Sequence, residues 1–378
     1  MGVRGVEVWK TGCGMDFCTG LENLPSAWRG AAVTIGNFDG AHRGHQRLIE
    51  HLCDVAARQS SHGETPDGDF HENRGSVTGV ALVVTFDPPP GTLLAKHGPV
   101  TPPLTDLAEK IRLLRAAGAD GVVVLRTTPE LLTLPPKAFF EQILMRGIGV
   151  TAIVEGSDFR FGAHRAGTIE TLHALGERNT DHPPISIHVV PPLRLDDHGR
   201  EPEYQYSDDR LGEENAVPPV SSSRVRHQIL MGDVAAAARM LGRPYTLRGV
   251  VVHGEERGRT LGYPTANLAD IATLLPLDGV YAARVRMDGD ENDHGNGGDG
   301  TGEYRLAAVA IGPNVTFGGA ERKCEIHLID FDGNLYGRTL RVELVDRIRG
   351  MQRFDSVVEL LDRMTDDLRR IRAIASEN

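Results

Sequence analysis

Two histidines three residues apart, His42 and His45, flank Gly44 and follow directly on Gly36-Asn37-Phe38-Asp39-Gly40 and Ala41. Imidazoles and backbone N–H groups bind phosphate oxygens. They do so best at a helix N-terminus, where N–H groups are unpaired and the dipole end is positive. The neighbouring residues supply that setting. Ala31 to Ile35 is a short apolar run that reads as a buried strand, and Leu48, Ile49, Leu52, Val55 and Ala56 recur at helical spacing over Gln46 to Arg58. The histidines therefore open a helix that follows a strand and a glycine-bounded turn, and Gly44 lets a ligand approach the backbone closely. An H-x-x-H pair alone is better read as two surface histidines. Asn37, Asp39 and both flanking glycines turn the reading toward phosphate chemistry.

Other polar groups cluster elsewhere in the chain. Ser221-Ser222-Ser223-Arg224-Val225-Arg226 offers three hydroxyls and two guanidiniums; alone it reads as a helix N-cap with exposed arginines. Gly156-Ser157-Asp158-Phe159-Arg160-Phe161-Gly162 is a strand-to-loop turn with two phenylalanines available to a core. Between Gly249 and Leu268 the run GVVVHGEERGRTLGYPTANL holds Gly254, Gly258 and Gly262, which can turn backbone N–H groups toward phosphates. In the same run, Pro264 fixes the approach to Thr265 and Asn267. No Walker-type G-x-x-x-x-G-K-[ST] occurs, which argues against a P-loop kinase. Glu325 alternates with apolar neighbours alongside Lys323 and His327, so periodicity alone makes it a solvent-facing strand residue.

The elements that must position these groups fall into two patterns. Up to about Val190, strand-like runs (Val80 to Phe86, Gly121 to Leu125, Val150 to Val154, Ile185 to Val190) alternate with helical ones. The helices are marked by Leu107, Ile111 and Leu114, by Phe139, Phe140, Ile143 and Leu144 with an end before Gly147, and by Ile169 to Leu175. Such alternation predicts a parallel α/β sheet, whose ligands collect at the carboxyl ends of the strands. From Tyr245 onward β-rich runs follow one another with no helix between them: Thr246 to Val252, Gly279 to Arg286, Leu306 to Ile311, Cys324 to Ile329 and Leu340 to Val345. These predict a small barrel, closed by a helix over Val357 to Ile371. The stretch from His227 to Arg243 reads as one connecting helix. The expected division is an extension over 1–28 around a short strand, an α/β domain over 29–225, the connecting helix over 226–243 and the barrel domain over 244–378.

The 378 residues exceed the usual size of a single core. A net charge of −11 argues against general nucleic-acid binding but not against local phosphate sites. No apolar run approaches the ~20 residues of a membrane helix, and the N-terminus lacks the apolar segment of a signal peptide. The four cysteines form no C-x-x-C pair and read as free thiols of a cytoplasmic protein. Residues 59–77, 196–217 and 288–303 are poor in apolar residues and read as insertions.

Taken together, G-N-F-D-G-x-H-x-G-H resembles the signature of the prokaryotic bifunctional riboflavin kinase/FMN adenylyltransferase family, also called FAD synthetases. Other segments resemble that family in order. Ser221 to Arg226 is similar to its I-S-S-x-x-[RK] motif, and Gly156 to Gly162 to its G-x-[DN]-F-x-F-G segment. Gly249 to Leu268 is similar to its kinase signature ending in P-T-A-N, and Cys324 to Leu328 to the segment that holds its glutamate. The resemblance implies a Rossmann-like nucleotidyltransferase domain followed by a small antiparallel riboflavin kinase-like barrel with a C-terminal helix. It implies phosphorylation of riboflavin to FMN and adenylylation of FMN to FAD, with ATP as co-substrate and Mg²⁺ as cofactor. By the same resemblance Glu325 is the kinase base, and Thr265 and Asn267 are ligands of Mg²⁺ and phosphate. His42 and His45 then bind the ATP phosphates, assisted by Ser222 and by either Arg224 or Arg226. Gly36, Asn37, Phe38, Asp39, Gly44 and Asp158 line that nucleotide site, and Gly254, Gly258 and Gly262 the kinase site. One departure stands out: in Thr85-Phe86-Asp87-Pro88-Pro89-Pro90, Pro89 replaces the histidine of the family's T-F-[DE]-P-H-P loop. It leaves open an alternative, a riboflavin kinase whose N-terminal domain only binds flavin. The expected partners are small molecules, with no nucleic acid and no membrane. A homo-oligomer is compatible with the sequence.

Overall fold

The computed structural model describes residues 16–61, 79–94, 101–177, 184–201, 217–254, 262–288, 304–313 and 322–377. Gly258 and most of the three insertions lie outside them. By contacts the chain divides into two compact units, one formed by residues 1–100 and 107–193, the other by 101–106 and 194–378.

The first unit contains β1 (Phe17–Thr19), β2 (Ala32–Ile35), α1 (Arg43–Ser61), β3 (Ala81–Asp87), α2 (Pro90–Leu94), α3 (Leu107–Ala116), β4 (Gly121–Arg126), α4 (Pro129–Thr133), α5 (Pro136–Phe139), β5 (Ala152–Gly156), α6 (Ile169–Glu177) and β6 (Ser186–Val190). All strands pair in parallel, in the order β1-β4-β3-β2-β5-β6. The apolar runs of β2 to β5 are buried because helices and loops cover both faces, forming two separate cores. Residues 16–28 contribute to one of them through Cys18 and Trp28. The helix expected to stop before Gly147 runs on: α5 continues as a π-helical segment, Phe140–Ile148, and ends at Gly149 in the left-handed conformation. Gly147 lies inside that helix, at a point where a Cβ would come within 2.6 Å of Leu21 Cδ1.

The second unit starts with α7 (Ser222–Leu230) and α8 (Val234–Leu241). The single connecting helix read from the sequence is thus two helices. Gly232 turns the chain at φ 79°, and the Asp233 carboxylate caps α8 by accepting from Ala236 N. Six antiparallel strands follow: β7 (Tyr245–Val252), β8 (Ala266–Ala269), β9 (Gly279–Met287), β10 (Arg305–Pro313), β11 (Arg322–Leu328) and β12 (Thr339–Arg349). They close into a barrel, β10-β11-β8-β7-β12-β9 and back to β10. Alternating burial along β7, β8, β11 and β12 sends apolar side chains inward and polar ones outward. The final helix, α9 (Val357–Glu377), packs Ile371 against Val280, Ala282 and Ile348. It is pinned by Arg349 Nε to Asp367 Oδ2 at 2.8 Å, both largely buried.

Candidate active sites

In the first unit the chemistry gathers where β2 ends. The β2 strand pairs β3 through Ile35↔Val84 but pairs β5 only at Ala32↔Ala152 and Val33↔Ile153. The strands on its two sides lead the chain in opposite directions, so the gap between β2 and β5 is the switch point where α/β sheets bind ligands. Glu155, buried at the end of β5, bridges that gap: its Oε1 accepts from Ile35 N at 2.6 Å and from Thr34 Oγ1 at 3.5 Å. Burial raises its carboxyl well above the usual range, against the opposing effect of those hydrogen bonds.

The turn after Ile35 brings together the residues read from the sequence. Phe38 and Ala41 hold positive φ, 49° and 40°, and Gly40 holds 79°. Ala41 N donates to Phe38 O, and Gln46 Nε2 donates to Ala41 O at 2.9 Å. Phe38, Asp39 and His42 are buried, with Asn37 exposed at the lip. The His42 and His45 rings stack with centroids 3.6 Å apart, and Phe38 meets His45 edge-on at 5.1 Å. His42 Nδ1 lies 3.3 Å from His45 N and accepts from it. His45 as a residue is half-buried, but its Nδ1 is covered and has no hydrogen-bond partner among the described residues. Burial, then the neighbouring His42 and Lys110, hold the His45 imidazole well below its ordinary value.

Two polar residues beside this turn were not singled out from the sequence. Lys110 on α3 is buried, and its Nζ reaches Asn37 O at 3.2 Å. Its signal is its spacing: it falls on the apolar face with Leu107, Ile111 and Leu114. Glu155 reads only as the last residue of a strand, and no pattern distinguishes it. Asp158 is exposed after β5, while Phe161 is buried in the core and Phe159 stacks on it at 5.6 Å. Pro89 lies in the loop between β3 and α2, where its carbonyl accepts from Thr92 N.

Ser222, Arg224 and Arg226 belong to the second unit, on the first turns of α7, with Ser221 as the N-cap that accepts from Arg224 N at 3.3 Å. Arg224 Nη1 donates to the carbonyls of Pro218 and Pro219, and Arg226 Nη1 to Pro102 O at 2.6 Å.

On the barrel, Glu325 of β11 stands directly across from Asn267 of β8. Opposed residues of an antiparallel pair share a face, and here it is the outer one, since Cys324, Ile326, Ala266 and Leu268 are buried. Gly254 closes on the same spot: a Cβ there would lie 2.0 Å from Asn267 Nδ2. His327, two residues beyond Glu325 on the same face, bonds through Nδ1 with Pro264 O at 2.9 Å, next to Thr265. Thr265 is half-buried and Gly262 holds φ 82° at the start of this run. Hydroxyl and amide oxygens suit a hard divalent cation, and Thr265 and Asn267 fit that requirement. Among the described residues no cluster of three His, Cys, Asp or Glu offers an all-protein metal cage.

A glycine-bounded turn with two histidines at the switch point of a parallel sheet, followed in the chain by a closed barrel bearing a carboxylate–amide pair, points to a two-domain enzyme of nucleotide chemistry. Family models agree with each part: FAD synthetase over residues 24–64 and 71–199, and riboflavin kinase over residues 241–375. The bifunctional riboflavin kinase/FMN adenylyltransferase of Escherichia coli (strain K12) is 32% identical, covering 93% of this chain and 96% of that protein. The protein of the same description from Pseudomonas fluorescens is 30% identical over 96% of this chain and 98% of its own. A crystal structure described as a macrolide-efflux protein from Streptococcus pneumoniae is 28% identical with a TM-score of 0.71, covering 94% and 98% of the two chains. Among the described residues no helix is long and apolar enough to cross a membrane. The chain belongs to the bifunctional riboflavin kinase/FMN adenylyltransferase family and carries both of its domains.

Proposed function

We propose a residue-level division of labour for the two activities of this enzyme, riboflavin phosphorylation and FMN adenylylation. The observation that carries it is the separation of two constellations, the His42–His45 stack on the parallel sheet and the Glu325–Asn267 pair on the barrel. By its motifs the adenylyltransferase domain is proposed over 29–225 and the kinase over 244–378, whereas by contacts 194–225 lies in the second compact unit.

On the barrel, Glu325 accepts the proton of the ribityl 5′-hydroxyl as the hydroxyl oxygen attacks the γ-phosphorus of ATP and ADP leaves. Such general-base help is worth roughly 10²–10⁴-fold in rate. Backbone N–H groups around Gly254, Gly258 and Gly262 hold phosphate oxygens. Thr265 and Asn267 would hold Mg²⁺, which when bound offsets charge on the transferred group. His327 steadies this segment through the Pro264 carbonyl.

On the α/β domain, a phosphate oxygen of FMN attacks the α-phosphorus of ATP and pyrophosphate leaves. No covalent protein group is needed; alignment and charge neutralisation suffice. The turn Gly36 to Asp39, Gly44 and the paired His42 and His45 rings that follow it support phosphate binding here. Asp158 borders the nucleotide pocket, while on the second unit Ser222 and Arg224 or Arg226 offer a hydroxyl and a guanidinium suited to phosphate. A cytoplasmic location agrees with the free thiols of Cys18, Cys53 and Cys324.

The test is chromatography of products from riboflavin, ATP and Mg²⁺, and separately from FMN, ATP and Mg²⁺. Wild-type protein is expected to give FAD in both. Glu325→Ala is expected to abolish FMN formation yet still convert added FMN to FAD, and His45→Ala to do the reverse. Kinase product alone in both wild-type tubes would overturn the adenylyltransferase assignment and return Pro89 to attention.

A further inference from the structure

The roles assigned above leave one buried charge unused. Lys110 is 4% exposed, and its side chain sits on a helix face whose packing Ile111 and Leu114 already provide. An apolar residue would serve α3 as well, and a buried ammonium is costly unless each of its protons finds an acceptor. Here three are found: Asn37 O at 3.2 Å, Thr85 Oγ1 at 3.5 Å and Phe86 O at 3.5 Å. Thr85 Oγ1 itself donates to Asn37 O at 3.3 Å, so the amine and the hydroxyl converge on one carbonyl of the phosphate-binding turn. Asp39 and Asp87 are the negative charges that face the amine, one on the turn and one at the end of β3. His45 is the titratable group that feels its charge from the other side.

We infer that Lys110 is a positioning residue for adenylyl transfer: its ammonium ties the Asn37 carbonyl to the end of β3, fixing the turn Gly36 to Asp39 and the His45 ring toward the triphosphate. The inference rests on reading Gly36 to His45 as the adenylyl site. The amine touches no reacting atom. It acts through the turn, whose Phe38 and Ala41 hold positive φ and need outside restraint to keep it.

Lys110→Met keeps the length of the side chain and removes the charge and all three donors. It is expected to lower kcat for FMN adenylylation roughly tenfold or more, since small misplacements of aligned groups are costly. The KM for ATP should change far less, and riboflavin phosphorylation by the same preparation should stay within about twofold of wild type. Lys110→Arg keeps the cation and should recover most of the lost kcat. The His45 titration, followed by NMR, should move upward in Lys110→Met, because a positive charge beside it has gone. Fluorescence of the buried Trp28 reports whether the first unit is folded. Should Lys110→Met unfold it, Lys110→Gln replaces it with the same expectations. An adenylylation kcat within about twofold of wild type in the neutral variant, or a His45 titration that does not move, would overturn the inference. Failure of wild-type protein to make FAD from FMN would instead overturn the reading beneath it.

Discussion

A glutamate buried as Glu155 is binds its proton more tightly in the folded chain than in the unfolded one. Its contribution to stability is therefore whole below the unfolded carboxyl value, about 4.3, and is lost as pH rises through the folded one. Glutamine keeps an oxygen for Ile35 N and Thr34 Oγ1 and has no proton to lose. Glu155→Gln is expected to raise the unfolding temperature of the first unit by several degrees at pH 8 and by much less at pH 5. Calorimetry at the two pH values checks it; an equal gap at both would show that Glu155 does not ionise at the base of the turn. At this scale His42, His45 and Glu325 could be singled out as candidates because each lies in a run of several diagnostic residues. Lys110 and Glu155 were not, since a single charge on an apolar face or at a strand end resembles an ordinary surface residue until the fold buries it.

Elements were legible where their pattern was long. The buried strands β2 to β5 read as apolar runs and the barrel strands as alternations, and both sheets followed. Breaks within a pattern were harder. Nothing apolar interrupts His227 to Arg243, yet Gly232 and the Asp233 cap split it, and β8 is only the four residues Ala266–Ala269. That short strand matters because it sets Asn267 opposite Glu325. Its neighbour Gly254 leaves no room for a Cβ beside the Asn267 amide. Gly254→Val is therefore expected to displace Asn267 and lower riboflavin kinase kcat/KM by about tenfold or more, with adenylylation of added FMN unchanged. Assaying both reactions on one preparation decides it. An unchanged kinase would mean that Asn267 shifts at no cost.

At the scale of the molecule, motif and core mark different boundaries. The sequence reading ends the first domain at 225, following the motif at Ser221 to Arg226, whereas the compact units divide at Leu193/Arg194. A motif named for its chemistry need not travel with the core that shares the chemistry. What the sequence did reveal was that two cores of different kinds exist, because strand-like and helical runs alternate in the first part and β-rich runs follow one another without helices in the second.

The two sheets also differ in how they end. Every described barrel strand has two neighbours, so among the described residues the barrel has no edge strand. The parallel sheet stops at β1, three residues long, and at β6, where Val189 is 44% exposed and no described strand pairs on the outer side. Unpaired strand edges template association between chains, and a lysine placed on them discourages it. Storage and heating should therefore spoil this enzyme from one side. On warming, Val189→Lys should delay the onset of light scattering without moving the unfolding temperature, and an unchanged onset would place the start of aggregation elsewhere. The flavin kinase half, closed on itself, should be the half that outlasts the other in the tube.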